Sequence, residues 1–414
     1  MKILMVLDTS IFPLLGGLQR HVWTLAKFMS RQGHEVNILA PKSKLDTTNE
    51  VYLNGVRIIK TLQPVRYKKI QWVYDSYSLV KQINDYGKKY DIVHYHGQNQ
   101  YFFENLNLDR PVVSTIHSIS PACLRESFQF DLCQSPSPAK CALCYVANRP
   151  NYAPLILGIV GFCAFHQRFI KKGLQKMQRV ICVSEYVRAR VERALRLDNL
   201  ITIKNFIDFD GEIKSSLQSL TSFNARKSLD IPLDSRIIVY FGRLSYEKGL
   251  DILVKAFDEV LKRLDKRIFL IIGGDGSQKH LIEEMAKNMT NIKMVGYVSR
   301  VEQLGLLSQS DIFVSPSRFA DACPTTLIEA TSLGLPIVAT RVGGSPEIVE
   351  DKENGLLVEP KNSHALADGL ITMLSDESML HRCKTSGPKK AKNFDIIEIG
   401  SKILGLYEEI LDQY

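Results

Sequence analysis

Arg243 and Lys248 stand five residues apart in Gly242-Arg243-Leu244-Ser245-Tyr246-Glu247-Lys248-Gly249, directly after the apolar run RIIVYFG (236–242). An arginine can chelate two phosphate oxygens while a lysine acts as a mobile point charge, so the two can converge on one diphosphate. Read alone, the same pair is surface charge. Further on, Asp321 and Glu329 flank Cys323-Pro324-Thr325-Thr326-Leu327. Pro324 suits the first position of a helix, which leaves the amides of Thr325, Thr326 and Leu327 open to an anion. The two carboxylates beside them can accept from hydroxyl groups. Near the N-terminus Gly16-Gly17 precedes LQRHVWTLA; paired glycines there either admit a phosphate or sugar close to the backbone or form a plain turn. The standard phosphate loops are missing: GGDGSQ (273–278) lacks the third glycine of G-x-G-x-x-G, and no G-x-x-x-x-G-K-[ST] occurs. Hydride transfer and P-loop ATP hydrolysis are set aside on that ground.

Two metal-like patterns remain. Asp208-Phe209-Asp210 has a D-x-D spacing but follows the strand joining the two halves of the chain, and it reads as linker solvation. With Arg243 and Lys248 available for a diphosphate, a divalent metal has no task in the chemistry, and none is expected to be required. Cys123, Cys133, Cys141 and Cys144 fall within a Pro-rich stretch of 22 residues. The C-x2-C pair has zinc-type spacing, and the four thiols read either as a structural zinc site or as plain thiols.

The elements that must position these residues alternate from end to end. KILMVL (2–7), EVNILA (35–40), VRIIKT (56–61), DIVHYH (91–96), PVVSTIH (111–117) and RVICVS (179–184) read as buried strands, with helical periodicity over 17–32 and 73–89. After a polar segment near 208–235 the alternation restarts with RIIVYFG (236–242), RIFLIIGG (267–274), NIKMVG (291–296), DIFVSPS (311–317) and PIVATR (336–341). This is the pattern of α/β architecture: two doubly wound, Rossmann-like domains with a cleft between them. Ligands in such sheets bind beyond the carboxyl ends of the strands, where the residues named above fall.

Of 414 residues, 45% are hydrophobic and 23% charged, which excludes disordered and low-complexity classes. The longest apolar run, APLILGIVGFCAF (153–165), is shorter than the ~20 residues a spanning helix needs, so no membrane crossing is expected. The N-terminus reads as a buried strand rather than a signal peptide, so the eight cysteines are expected as thiols or metal ligands rather than disulfides. Residues 1–207 carry 28 Lys and Arg against 14 Asp and Glu, while the remainder carries 25 against 30. No acid occurs between Leu132 and Ser184. A basic half attracts an anionic partner or is a solvated face. APLILGIVGFCAFHQRFIKKGLQKMQR joins an apolar patch to a basic one, which suits either an interfacial helix on anionic lipid or a core helix with a basic edge.

The Gly-Gly loop, the R-x4-K-G segment, GGDG, the Asp321…Glu329 pair and the closing GGSPEIVEDKENGLLVEP (343–360) occur in an order that resembles retaining glycosyltransferase family 4 (group 1 glycosyltransferases), with the GT-B fold. The resemblance spans nearly the whole chain and is strongest over 236–360. It implies an acceptor-binding domain over 1–207, a nucleotide-sugar-binding domain over 208–390, and a C-terminal helix, 391–414, crossing back to the first domain. Arg243 and Lys248 would grip the donor diphosphate and stabilise it as the leaving group. Glu329 would accept ribose hydroxyls, Asp321 and the amides after it would meet the donor sugar, and His117 matches the family's sugar-contacting His. Gly16 and Gly17 would close over the phosphate, with Gly242, Gly274, Cys323, Pro324, Thr325, Thr326 and Leu327 also lining the donor. Gly296-Tyr297-Val298 would run along the nucleobase edge. Two positions depart from the family: Asp321 replaces the usual Glu, and Asn205-Phe206 replaces Asn-Gly.

The function so implied is transfer of a hexose, with retention, from a UDP- or GDP-sugar to a glycan or lipid-linked acceptor in cell-surface polysaccharide or glycolipid synthesis. No cofactor is implied beyond the donor and the zinc alternative. The expected location is cytoplasmic, with peripheral contact at the membrane's cytoplasmic face. A sugar-nucleotide epimerase or phosphorylase on the same fold is the alternative. A nucleic-acid-binding protein is the remote one, since the basic half shows no binding module or aromatic platform.

Overall fold

The computed structural model describes residues 1–12, 16–43, 46–62, 71–97, 99–118, 137–147, 150–220 and 223–414. Two compact units emerge: Met1–Asn205 together with Ile396–Tyr414, and Phe206–Asp395.

The first unit's strands are β1 (Lys2–Val6), β2 (Glu35–Pro41), β3 (Glu50–Leu53), β4 (Val56–Leu62), β5 (Ile92–Tyr95), β6 (Val112–Ile116), β7 (Arg179–Cys182) and β8 (Leu200–Thr202). Among the described residues they form one sheet ordered β3-β4-β2-β1-β5-β6-β7-β8. Every neighbour pair is parallel except β3 and β4, a hairpin turned at Asn54-Gly55 with φ of 51° and 78°. The central strands are near-continuous apolar runs because helices cover both faces: Ile3, Leu4, Met5 and Val6 of β1 are fully buried. The winding direction reverses between β1 and β5, which makes their carboxyl ends a topological switch point. The helix Gly17–Arg31 follows β1 and buries Val22, Leu25, Ala26 and Met29 at the spacing of one helical face. The C-terminal helix Ile396–Asp412 packs on this unit, where Gly400 lets it lie against Phe28.

The apolar run at 153–165 sits inside a longer helical stretch, Asn151–Gln175, of 25 residues. By length and composition alone that stretch meets the span requirement that the run by itself does not. Its second half is anchored by Cys163, His166, Ile170, Gly173 and Leu174. Its first half presents Leu155 and Leu157 to solvent, the latter 84% exposed, with Phe162 one turn on.

The second unit's strands are β9 (Arg236–Phe241), β10 (Ile268–Gly273), β11 (Ile292–Gly296), β12 (Ile312–Ser315), β13 (Ile337–Thr340) and β14 (Gly355–Val358). Among the described residues they form an all-parallel sheet ordered β11-β10-β9-β12-β13-β14, with its switch point between β9 and β12. Leu250, Leu253, Val254, Phe257 and Val260 of the helix Leu250–Arg263 join Ile238, Leu270 and Ile312 in the core.

Candidate active site

In the second unit the chain leaves β9 at Gly242, and a 3-10 turn, Tyr246–Lys248, brings Lys248 back over the strand end. The turn is clamped by Arg318, which donates 3.0 Å to the Tyr246 carbonyl, pairs with Asp251 and lies 4.2 Å from the Tyr246 ring centre. The Arg318 amide also donates to the Glu247 carbonyl at 2.8 Å. So held, the Lys248 ammonium forms an ion pair with Asp321, which arrives from the loop after β12. Burial raises the Asp321 carboxyl pKa, but Lys248, then the Ala322 amide and then Arg243 outweigh it and hold the group below the usual carboxylate range. The Arg243 side chain is exposed beside the pair. Two predicted cations and one predicted acid thus meet at a single strand-end site.

Glycines fix the surrounding backbone. Gly274 has φ 127°, and a Cβ there would stand 1.9 Å from the Gly242 carbonyl, so the ends of β9 and β10 approach as only Gly allows. Gly343 has φ 57°, with its missing Cβ position 2.2 Å from the Asp321 carbonyl, and the Gly344 amide donates 2.8 Å to that carbonyl. The GGSP segment therefore supports the Asp321 loop.

The helix after this loop runs Thr325–Ser332, and Pro324 is its N-cap rather than its first helical residue. Pro324 takes an extended ψ of 112°, a value its fixed φ allows outside the helix. The Leu327 amide already donates to the Pro324 carbonyl at 3.1 Å, so the first-turn amides left to an anion are those of Thr325 and Thr326. Cys323 is buried beneath them. Glu329 is 2% exposed and its Oε2 lies 2.8 Å from Arg300 Nη1, while Arg300 Nε lies 2.8 Å from Glu212 Oε1. Burial opposes the guanidinium's charge, yet the two glutamates raise its pKa above the ordinary arginine value. Val298 is half-buried just before Ser299, which caps the next helix by accepting from the Glu302 amide at 3.2 Å.

The first unit assembles a second group at its own switch point. Gly16 and Gly17 open the helix Gly17–Arg31; Gly16 has an ordinary extended φ of −125°, and a Cβ on Gly17 would meet nothing among the described residues. No packing within the described protein requires a glycine at position 17. One turn along, His21 meets His96, just past β5, and His117, just past β6. The His94 ring lies against His96, tilted by 36° with ring centres 3.8 Å apart; its Nε2 is 2.7 Å from Thr115 Oγ1, and its Nδ1 is bonded to the Tyr407 hydroxyl. Burial holds all four imidazoles neutral, lowering His21 to about 4 and the others well below the usual range.

Asp208 caps a helical turn, accepting from the Gly211 amide at 2.8 Å, and Asp210 pairs with Lys214 on the surface. Cys141 and Cys144 are half-buried on the helix Pro138–Ala147, whereas Cys123 and Cys133 lie outside the described residues. Sequence reasoning missed His21, His96, Arg300 and Arg318 as site residues. The H-x-H pair at the end of β5 was a usable signal, because residues two apart share a strand face. Arg300 and Arg318 gave none, since their carboxylate partners are distant in sequence.

Two family descriptions match the chain in succession: "Glycosyltransferase Family 4" over residues 15–210 and "Glycosyl transferases group 1" over residues 222–390. Among curated relatives, a phosphatidyl-myo-inositol mannosyltransferase of Mycobacterium tuberculosis is 24% identical across 96% of this chain and 94% of its own. An uncharacterized glycosyltransferase of Methanocaldococcus jannaschii is 27% identical across 91% and 90%. Among solved structures, sucrose-phosphate synthase from Thermosynechococcus elongatus superposes with a TM-score of 0.78 at 18% identity, covering all of both chains. Anabaena HepE, solved with UDP and glucose, gives 0.70 at 19% identity, covering 99% of this chain and 100% of its own.

Proposed function

We propose, since the chain belongs to the group 1 glycosyltransferases of family 4 and has their GT-B fold, that this glycosyltransferase moves a hexose from a UDP- or GDP-sugar to a glycan or lipid-linked acceptor with retention of configuration. The observation that carries the reading is the meeting of Arg243, Lys248 and Asp321 at the β9–β12 switch point, beside the N-terminus of the helix Thr325–Ser332. Arg243 and Lys248 take the diphosphate and stabilise the charge that grows on it as the sugar departs. Thr325 and Thr326 offer amides to the same anion, and Asp321, kept ionised, accepts from a sugar hydroxyl. Glu329 accepts from the ribose. The leaving phosphate oxygen takes the proton of the incoming hydroxyl on the same face, so no side chain acts as a nucleophile and the protein contributes orientation and charge. On this reading Phe206–Asp395 holds the donor. Met1–Asn205 receives the acceptor, and Gly16, Gly17 and His117 are the residues assigned to the donor's phosphate and sugar.

The chemistry needs no divalent metal. A zinc ion on Cys123, Cys133, Cys141 and Cys144 would serve folding rather than transfer.

The exposed Leu143, Leu155, Leu157 and Phe162, with Arg168 and Lys172 exposed farther along the helical stretch Asn151–Gln175 and Lys176 at its C-cap, support peripheral binding to an anionic membrane at its cytoplasmic face. That placement suits a lipid-linked acceptor.

A thermal-shift screen against UDP- and GDP-sugars tests the donor, because a ligand of the folded state raises its melting temperature. One nucleotide class should stabilise the chain, and Lys248→Ala should abolish that shift. Incubation with donor alone should give only slow hydrolysis. An epimerised donor or a sugar phosphate would replace the reading with the epimerase or phosphorylase alternative.

A further inference from the structure

His21, His96 and His117 reach one point of the first unit from three elements: the helix Gly17–Arg31, the end of β5 and the end of β6. Each offers one ring nitrogen, and the three nitrogens lie within 4.8 Å of one another. His96 Nδ1 and His117 Nε2 are 3.3 Å apart, long for a hydrogen bond. A tetrahedral zinc with Zn–N bonds of about 2.0–2.1 Å sets its ligand nitrogens about 3.3–3.4 Å apart. Adding the radius of each imidazole places the ring centres about 5 Å apart in such a site. Here they are 4.6, 5.5 and 5.6 Å apart.

The surroundings match a ligand set as well. Metal-bound histidines commonly donate their other ring N–H to an oxygen, which fixes the tautomer. His21 Nδ1 lies 2.9 Å from Asn205 Oδ1, so the nitrogen it can give to a metal is Nε2. His96 is fully buried with its Nδ1 facing His117 Nε2, and its Nε2, unlike Nδ1 of His21, has no hydrogen-bond partner behind it among the described residues. Both nitrogens of His94 are engaged by Tyr407 and Thr115, which makes it a ring packed against His96 rather than a fourth ligand.

We propose that His21, His96 and His117 form a three-histidine site for a borderline divalent transition metal, Zn²⁺ foremost, with one coordination position left open, and that its occupancy inhibits transfer. The inhibition, though not the site, rests on the reading that places His117 at the donor sugar: a ring bound to zinc cannot also meet the sugar.

The probe is Co²⁺ titrated into the full chain, followed by Zn²⁺. One equivalent of Co²⁺ should give the visible d–d bands of a low-coordinate ion without the near-ultraviolet thiolate charge-transfer band that the cysteine cluster would produce. Zn²⁺ should displace it. Asn205→Ala, which removes the carboxamide whose oxygen lies behind His21, should weaken binding about 10–100-fold, and His96→Gln should abolish the bands. If His96→Gln does not fold, zinc-edge X-ray absorption of the wild-type chain decides, with an imidazole-nitrogen shell at about 2.0–2.1 Å expected. Absence of visible bands, or bands carrying only thiolate character, would overturn the site. Stoichiometric Zn²⁺ should also suppress transfer, with recovery on chelation. Binding with transfer unaffected would overturn the inhibition and, with it, the placing of His117 at the sugar.

Discussion

Replacing Arg300 with Met keeps the length of the side chain and removes a charge that serves two carboxylates at once. Nη1 and Nε each lie 2.8 Å from a glutamate oxygen, of Glu329 and Glu212 respectively. The side chains of Arg300, Glu212 and Glu329 retain 18%, 27% and 2% exposure, so water can take over Glu212 but not Glu329. Breaking a buried pair from one side costs about 3–5 kcal/mol, because the remaining charge is left uncompensated. The partial exposure of Arg300 and Glu212 puts this case near the lower end, ~3 kcal/mol. In a unit of roughly 190 residues each kcal/mol moves the melting temperature by about 2–4 °C, so the variant should melt ~6–12 °C below wild type. Differential scanning calorimetry at pH 7.5 measures this. Adding Glu329→Gln removes the orphaned charge and should recover at least half of the loss. If Arg300→Met melts within 2 °C of wild type, or the double variant is no better than the single, the reasoning fails. On the proposed function, KM for the donor should rise more than kcat falls, since Glu329 is assigned to ribose binding.

Arg243→Ala and Lys248→Ala should each lower turnover by about 10²–10³-fold, and together much less than the product, as expected of two groups serving one diphosphate; initial rates with saturating donor check this. Transfer should survive EDTA, whereas slow loss restored only by zinc would assign the cysteines a folding role. Changing Arg168, Lys171, Lys172 and Lys176 to Ser should abolish salt-sensitive co-sedimentation with anionic liposomes while leaving donor binding intact. Acid should destabilise the first unit. Below the usual histidine value near 6.5 the unfolded chain takes up protons that the four buried imidazoles refuse, so their contribution is full above that pH and is lost as pH falls, toward about 4 for His21. Stability should therefore fall from pH 7.5 to 5.5, measurable by urea unfolding with chelator present.

Most of the sheet architecture was legible because parallel strands covered on both faces are continuous apolar runs. RIIVYFG and KILMVL announce β9 and β1 within a residue of their ends. The strands left unread, β3, β8 and β14, lie at or beside the sheet edges, where half-exposed residues carry no such run. For β3 a local signal existed: Asn54-Gly55 supplies the positive φ values of a two-residue hairpin.

The chain order and residue types at the strand ends were enough to name Arg243, Lys248, Asp321 and Glu329, because loop position after a strand is a one-dimensional property. What pairs with them is not. Lys248 with Asp321, Arg318 with Asp251 and Arg300 with Glu329 are separated by 73, 67 and 29 residues, so only the packed sheets bring them together. The same holds for the histidines. Sequence placed His94, His96 and His117 at two strand ends, but the pairing of β5 with β6 and the crossover helix set His21, His96 and His117 around one point. Burial then removed their charge, a change that composition cannot encode because it depends on excluding water from every side at once.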